Sequence, residues 1–351
     1  MEAIVEFSDA ESNLMPIGEL DLEGAFAGIK VNGAEVASDA YVYDAEAKTI
    51  TFVEGKFPYG EFVDFSVLTE THEYAMNGVF TFVTKAIANA DDLNWVAANK
   101  ANVLIPHADR KTGKASYFVV TNSFDYGGGD TWTKAVGVWG SSYPYLGGTF
   151  NGRGNTISNM IWKNGFIHGV GCYGVLENIA FTGITVTLQD EGGMLVNREN
   201  LGVIRNVYIE AAVVPNNPYD KSSYQHVGLY ANETIAASGV VATIENVVMK
   251  VTGRSTATTA DSGFMAFQLG VVNNVYVISD MDEKAVKGIN SYNGVAAFLE
   301  AVDEDALIVA LGANWAKAED GTVVFKSSLP KEEPAPSDPE EEPLPEEEPV
   351  E

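Results

Sequence analysis

The chain holds a single cysteine, Cys172, among 351 residues. A disulfide within one copy is therefore excluded, and so is a zinc site built on several thiolates. Histidine is almost as scarce: His72, His107, His168 and His226 are the only four. None stands at metal-ligand spacing from a second histidine or a matched carboxylate. Positive charge is also in short supply. Against 49 Asp and Glu there are 21 Lys and Arg, a net charge of −28. That balance argues against nucleic acid and anionic membranes as partners. No apolar run reaches the roughly 18 residues needed to span a bilayer, so no membrane insertion is expected. No Gly-x-Ser-x-Gly or phosphate-binding loop occurs, and no cofactor is expected. No signal-peptide pattern opens the sequence, since Met1-Glu2-Ala3-Ile4 leads directly into a strand pattern. An exported origin would make the chain a trimmed fragment with an added Met, whereas a phage-borne protein needs no signal.

What the sequence does have is repetition. Five copies of one pattern run from Asn155 to Val277. They read Asn155-Thr-Ile157-Ser-Asn159-Met-Ile-Trp162, Gly174-Val-Leu176-Glu-Asn178-Ile-Ala-Phe181 and Gly202-Val-Ile204-Arg-Asn206-Val-Tyr-Ile209. Ala242-Thr-Ile244-Glu-Asn246-Val-Val-Met249 and Gly270-Val-Val272-Asn-Asn274-Val-Tyr-Val277 complete the set. A recurrence at roughly 20–40 residues marks a solenoid. Counted from the shared asparagine, positions −2, +1 and +3 are apolar. They cannot all share one face of a straight strand, because strand side chains alternate. A bend at the asparagine solves this, and asparagine tolerates the left-handed backbone of such a corner. Its amide can also stack on equivalent amides of neighbouring coils. Asn159, Asn178, Asn206, Asn246 and Asn274 are thus expected to form a structural ladder. Position −4 is small, which fits a second tight turn.

The pattern predicts a parallel β-helix in which inward residues of stacked coils build one core. An antiparallel sandwich with chance similarity is the alternative. Outward position −1 sets Arg205 between Glu177 and Glu245, and position +4 sets Glu210 beside Lys250. Such exposed pairs contribute a few tenths to about 1 kcal/mol each and act as register marks. Outward position +2 (Ile161, Ala180, Tyr208, Val248, Tyr276) is apolar enough to need a cover, most simply a loop of the same chain.

Upstream of the later copies stand Gly171-Cys-Tyr-Gly174, Gly193-Met-Leu-Val196, Gly228-Leu-Tyr-Ala231 and Gly263-Phe-Met-Ala266. These resemble the GLUG motif of bacterial surface proteins. Gly148-Thr-Phe150-Asn-Gly152-Arg-Gly154-Asn-Thr-Ile157 resembles the F-D-G-N-G-x-x-I opening of the same pectate-lyase-like solenoids. Asn151 and Arg153 replace the usual Asp and Asn, which removes the ground for cation binding by that Asp. The stretch from Phe298 through Trp315 to Phe325 is similar to a closing coil. The resemblance spans residues 85 to 326. It implies an extracellular, cell-surface or virion-surface β-helix, adhesive or structural, and carries over no catalytic residue.

Ahead of the repeats, residues 1–84 read as a β-sandwich. Strand patterns recur about every ten residues, and Asn32-Gly33 is a strong hairpin-turn signal. The module is similar to the Ig-like domains found beside bacterial surface β-helices. Asn89-Ala-Asp-Asp-Leu93-Asn-Trp95-Val-Ala-Ala98 predicts one helix, capped by Asn89 or Asp91, that closes the solenoid end near 89–98. Residues 327–351 form an acidic, Pro-rich linker or stalk. From Pro330 to Glu351 there are ten acids, one lysine and seven prolines, a net of −9 that leaves −19 for the rest. Such a stretch cannot bury a core and is expected to be disordered, leading to further modules of the same polypeptide.

The fold class expected is all-β. The richest surface candidate is the loop from Asn122 to Tyr145. Tyr126, Trp132, Trp139, Tyr143 and Tyr145 offer faces for sugar rings, and Asp130 offers an acceptor for hydroxyls. Packing of a tryptophan over the first coil, as in related β-helices, is the alternative. Asp190 and Glu191 form the one weak calcium candidate; a solvated turn is the other reading. Carboxylates elsewhere in residues 150–300 are scattered over loops of different length, so no acid/base pair is defined. The function expected is a non-catalytic surface module whose partners are glycans or host surface proteins. A polysaccharide lyase or glycoside hydrolase on the same scaffold, and a purely structural role, are the alternatives.

Overall fold

The structure is a computed structural model. It describes residues 5–6, 14–18, 20–53, 56–57, 61–81, 83–113, 116–136, 144–163, 165–187, 195–213, 229–230, 242–252, 265–266, 271–279, 296–299, 304–319 and 323–326. Strands dominate it, and its largest element is a sheet of parallel strands. Residues 327–351, the expected stalk, lie outside the described residues.

Alternating apolar residues in the first 81 residues give two sheets on one core. The larger runs in the order Val5–Glu6, Glu73–Thr81, Glu61–Thr69, Phe26–Val31, Ala34–Glu35; the smaller runs Leu14–Pro16, Thr49–Phe52, Tyr41–Asp44. Ile29, Val31, Phe65 and Val67 of the first meet Met15, Ile50 and Phe52 of the second. Asn32 and Gly33 both hold positive φ, 49° and 78°, as a two-residue hairpin turn with the strand twist requires.

From Lys85 onward the chain visits two sheets in turn. The large sheet takes Lys85–Ile87, Tyr117–Val120, Thr149–Ser158, Val175–Val186, Val203–Val213, Thr243–Thr252, Val271–Ser279 and Ala296–Leu299, each paired in parallel with the one before. The short strands Phe124–Asp125 and Ile161–Trp162 run alongside. Between these visits Ile105–Pro106, Pro144–Leu146, Ile167–Val170 and Val196–Asn200 form a four-stranded sheet. Parallel neighbours repeat the same register row after row. Leu176, Ile204, Ile244 and Val272 stand in one column, and Ile179, Val207, Val247 and Val275 in another. Most of these side chains join a single buried cluster with Phe118, Phe150, Trp162, Phe166 and Phe181.

One expectation on register needs correction. Phe150, not Ile157, pairs with Leu176, while Ile157 pairs with Phe181. The Asn155–Trp162 copy is therefore displaced, and Thr156 rather than Ile161 leads the outer stripe. The cause is a corner of three residues, 152–154, where the next row has Asn178 alone; Arg153 and Gly154 hold positive φ there. Gly171-Cys-Tyr-Gly174 forms a turn. Leu229 pairs with Met265, one residue off the alignment of the two later Gly-initiated units. The small residue at −4 does stand at a tight turn in one row, where the Gly174 N–H donates to the Gly171 carbonyl at 2.8 Å, although neither Gly174 nor Gly202 has positive φ. They are small for want of space. A Cβ on Gly174 would lie 2.2 Å from the Leu146 carbonyl oxygen, and one on Gly202 2.2 Å from that of Gly174.

The helix Ala90–Ala98 starts where expected. The Asn89 side chain accepts from the backbone N–H groups of Asp91 and Asp92. Leu93, Val96 and Ala97 enter the main core. Lys85 binds Asp92 at 2.9 Å and lies 5.6 Å over the Trp95 ring.

The C-terminal segment departs from the closing-coil expectation. Ala296–Leu299 adds a row to the large sheet, but the helix Glu304–Leu311 and the hairpin Trp315–Lys317/Val323–Phe325 pack on its outer face. Leu307, Leu311, Trp315, Val323 and Phe325 cover Ala180, Tyr208 and Val248, the apolar outer stripe. Gly312, at φ 95°, ends the helix in the left-handed region favoured at that position.

Candidate functional site

Among the described residues, the corner asparagines form a regular polar row. Asn178, Asn206, Asn246 and Asn274 have φ between 50° and 53°. Their amides form a one-way chain. Asn274 Nδ2 donates to Asn246 Oδ1 at 3.0 Å, Asn246 to Asn206 at 3.1 Å, and Asn206 to Asn178 at 2.9 Å. The chain continues to Asn151, which accepts from Asn178 at 3.3 Å. Asn159 stands apart. It is also left-handed, at φ 58°, but its amide donates to Asp125 Oδ1 at 3.1 Å and its backbone N–H bonds Thr182. It occupies a different corner from the ladder to which its sequence pattern assigns it.

Beside the ladder, Glu177 is largely buried and takes three charge-assisted or amide contacts. Arg205 reaches its Oε2 through Nε at 2.7 Å and Nη2 at 2.6 Å, and Asn151 donates to Oε1 at 2.9 Å. Lys250 lies 3.5 Å from Glu210, as the +4 column requires. These groups neutralise one another within the sheet face.

Asn206→Ala is expected to cost about 1–3 kcal/mol, because both neighbouring amides lose a partner. Equilibrium unfolding measures it; an unchanged midpoint would show that the ladder contributes no stability.

The aromatic loop is built differently from the sugar-stacking arrangement expected of it. Trp132 is 1% exposed, and its Nε1 donates to the Phe166 carbonyl at 2.7 Å. Tyr126 is 7% exposed; its hydroxyl donates to Asn94 and accepts from the Trp132 backbone N–H at 2.9 Å. Burial raises the Tyr126 pKa, against the pull of the Trp132 N–H. Tyr145 is 0% exposed and donates to Glu199 Oε2 at 2.8 Å. All three serve the packing of the scaffold, so their assignment as ring-stacking residues is corrected. Asp130 is held between Lys163 at 2.6 Å and Lys134 at 2.9 Å. The Lys163 hydrogen bond first, then that of Lys134, lowers its pKa. A depressed carboxylate pKa contributes stability above the unfolded value, lost as pH falls through the folded one. Trp139, Tyr143, Asp190, Glu191 and His226 lie outside the described residues. Among the described residues, no three His, Cys, Asp or Glu gather as metal ligands would.

Sequence reasoning missed a polar cluster on the smaller sheet. Register places Tyr145 beside Gly169 and Gly169 beside Glu199. A Cβ on Gly169 would lie 2.1 Å from the Tyr145 ring, so the missing side chain lets the phenol reach across to Glu199. Arg110 Nε binds the same Glu199 oxygen at 2.8 Å, and the Arg110 carbonyl accepts from the Cys172 N–H. A buried carboxylate paired in this way ties the 107–113 segment down on the sheet; removing one partner of such a pair typically costs about 3–5 kcal/mol. The sequence signal was faint: two charges, Arg198 and Glu199, inside Val196-Asn-Arg-Glu-Asn200, a segment outside the asparagine repeat.

No helix of the described residues is long and apolar enough to cross a membrane. Comparison with protein families, curated proteins and solved structures gives no match.

Proposed function

We propose that this chain is a non-catalytic structural and display module of an extracellular, cell or virion surface. In this reading residues 1–84 are an Ig-like sandwich and residues 85–326 a right-handed parallel β-helix. In this reading residues 327–351, acidic and rich in proline, serve as a linker. The observation that carries it is the amide ladder from Asn151 to Asn274. A stack whose corners are cross-linked row by row resists bending and holds its two ends at a fixed separation, which is what a spacer or presenting rod needs. Alternation of the chain between two sheets supports the β-helix part. The apolar outer stripe is sealed by the chain's own C-terminal helix and hairpin, so the rod does not depend on a partner for that face. Glycan stacking on Tyr126, Trp132 and Tyr145 has no place in this reading, because those rings are inside.

A glycan array and a reducing-end assay on the intact protein test it together. Neither turnover nor binding at the Asn122–Tyr145 loop is expected. Release of new reducing ends or unsaturated sugars would overturn the non-catalytic part. Specific glycan binding that Trp139→Ala abolishes, with an unchanged melting temperature, would restore the loop as a binding site.

A further inference from the structure

We infer that Asn32 is a spontaneous modification site, at which the folded protein deamidates through a succinimide. Five Asn-Gly pairs occur in the chain, at Asn32, Asn77, Asn151, Asn164 and Asn293. Asn-Gly is the pair in which the following backbone nitrogen is least shielded, because glycine has no side chain. Folding then decides which pair can react, since the asparagine side chain must swing back onto that nitrogen.

The structure separates Asn32 from the other described pairs. Asn32 and Gly33 are both exposed and form the tip of a two-residue hairpin. Apart from its two chain neighbours, no residue has a heavy atom within 4 Å of the place a Gly33 Cβ would take. Asn151 is the reverse case. Its Nδ2 donates to Glu177, and its Oδ1 accepts from the Arg153 N–H at 2.8 Å and from Asn178. The Gly152 Cβ position lies 2.3 Å from the Asn178 carbonyl oxygen, so that backbone cannot turn without opening the corner. Asn77 sits within the strand Glu73–Thr81, opposite Asp64.

The chemistry needs only water. The Gly33 nitrogen attacks Asn32 Cγ, forming a new C–N bond. The Cγ–Nδ2 bond breaks, and Nδ2 leaves as ammonia with the proton that Gly33 gave up. Water then opens the five-membered imide. Opening at Cγ yields aspartate; opening at the backbone carbonyl yields isoaspartate. The second product runs the main chain through one extra methylene, which a two-residue turn cannot absorb while keeping Val31 opposite Ala34. Both products add a negative charge to a chain already at −28.

The test is to hold the intact protein at mildly alkaline pH and follow each Asn-Gly peptide by mass mapping, with isoaspartyl methyltransferase labelling. Conversion at Asn32 is expected to outrun that at Asn151 by more than about tenfold, the factor each ~1.4 kcal/mol of prior local opening imposes. It should rise with pH, as loss of the Gly33 proton assists attack. In denaturant the two sites should convert alike, showing that the fold makes the difference. Asn151 converting as fast as Asn32 in the folded protein would overturn the inference. So would an Asn32 that stays intact when folded yet converts when denatured.

Discussion

Trp132→Ala is expected to destabilise the repeat region by about 3–5 kcal/mol, the usual loss for a buried large aromatic, with a clear fall in its melting temperature. The indole lies 5.2 Å from the Phe166 ring, which itself contacts Phe150, Trp162 and Phe181. Truncation would therefore open a cavity at the meeting point of several rows. It would also strand the Phe166 carbonyl, which accepts from Nε1. The experiment separates two roles cleanly. A ring that exists to stack on a ligand can be removed with little thermal penalty, whereas a core ring cannot. A variant that melts with the parent protein would show that Trp132 is not the packing element described above.

The second large effect belongs to Gly202→Ala. An added methyl would stand 2.2 Å from the Gly174 carbonyl oxygen and 2.4 Å from that of Gly171. Both are backbone atoms, so no side chain can move aside. The Val203 N–H bonds the same Gly174 carbonyl, and any shift that relieves the clash stretches that bond. Overpacking of a side-chain core typically costs about 1–3 kcal/mol; here the obstacle is main chain, and the loss should reach the top of that range or pass it. Solubility and a denaturation curve decide. A stable, unchanged Gly202→Ala protein would mean that the rows can slide apart locally. Gly33 offers a control for crowding, since nothing beyond its two chain neighbours lies near its Cβ position, although its φ of 78° penalises a side chain for a different reason.

The sequence made the row architecture legible wherever a corner is one residue long. From Leu176 onward, the apolar columns and the Asn178, Asn206 and Asn246 corners follow from the positional pattern alone, and the strand register repeats them. The first row was not legible. Ile157-Ser-Asn159 and Leu176-Glu-Asn178 share the motif of an inward residue, an outward residue and a left-handed asparagine. Two different corners impose the same local demands, so the motif cannot say which corner it serves. Aromatic residues were legible as large and apolar but not as inward or outward. Whether Trp132 faces core or solvent depends on the short helix Thr131–Val136 folding back over Phe166, a tertiary event without local periodicity. The Arg110–Glu199 pair joins residues 89 apart in sequence, and nothing in either neighbourhood names the other. The outer stripe was legible as a surface requiring cover. Its cover was not, because the helix Glu304–Leu311 reads as an ordinary apolar segment until it is seen against Tyr208 and Val248.

The amide chain has a direction, and that direction matters while the protein is being made. Each asparagine from Asn178 to Asn274 donates toward the earlier row. A row leaving the ribosome therefore brings its own donor to an acceptor that is already in place. The successive steps link residues 27, 28, 40 and 28 positions apart, so closure never waits for a distant part of the chain. The nascent polypeptide can bond each corner as its row arrives, while the outer face of those rows waits for the helix and hairpin of residues 304–325.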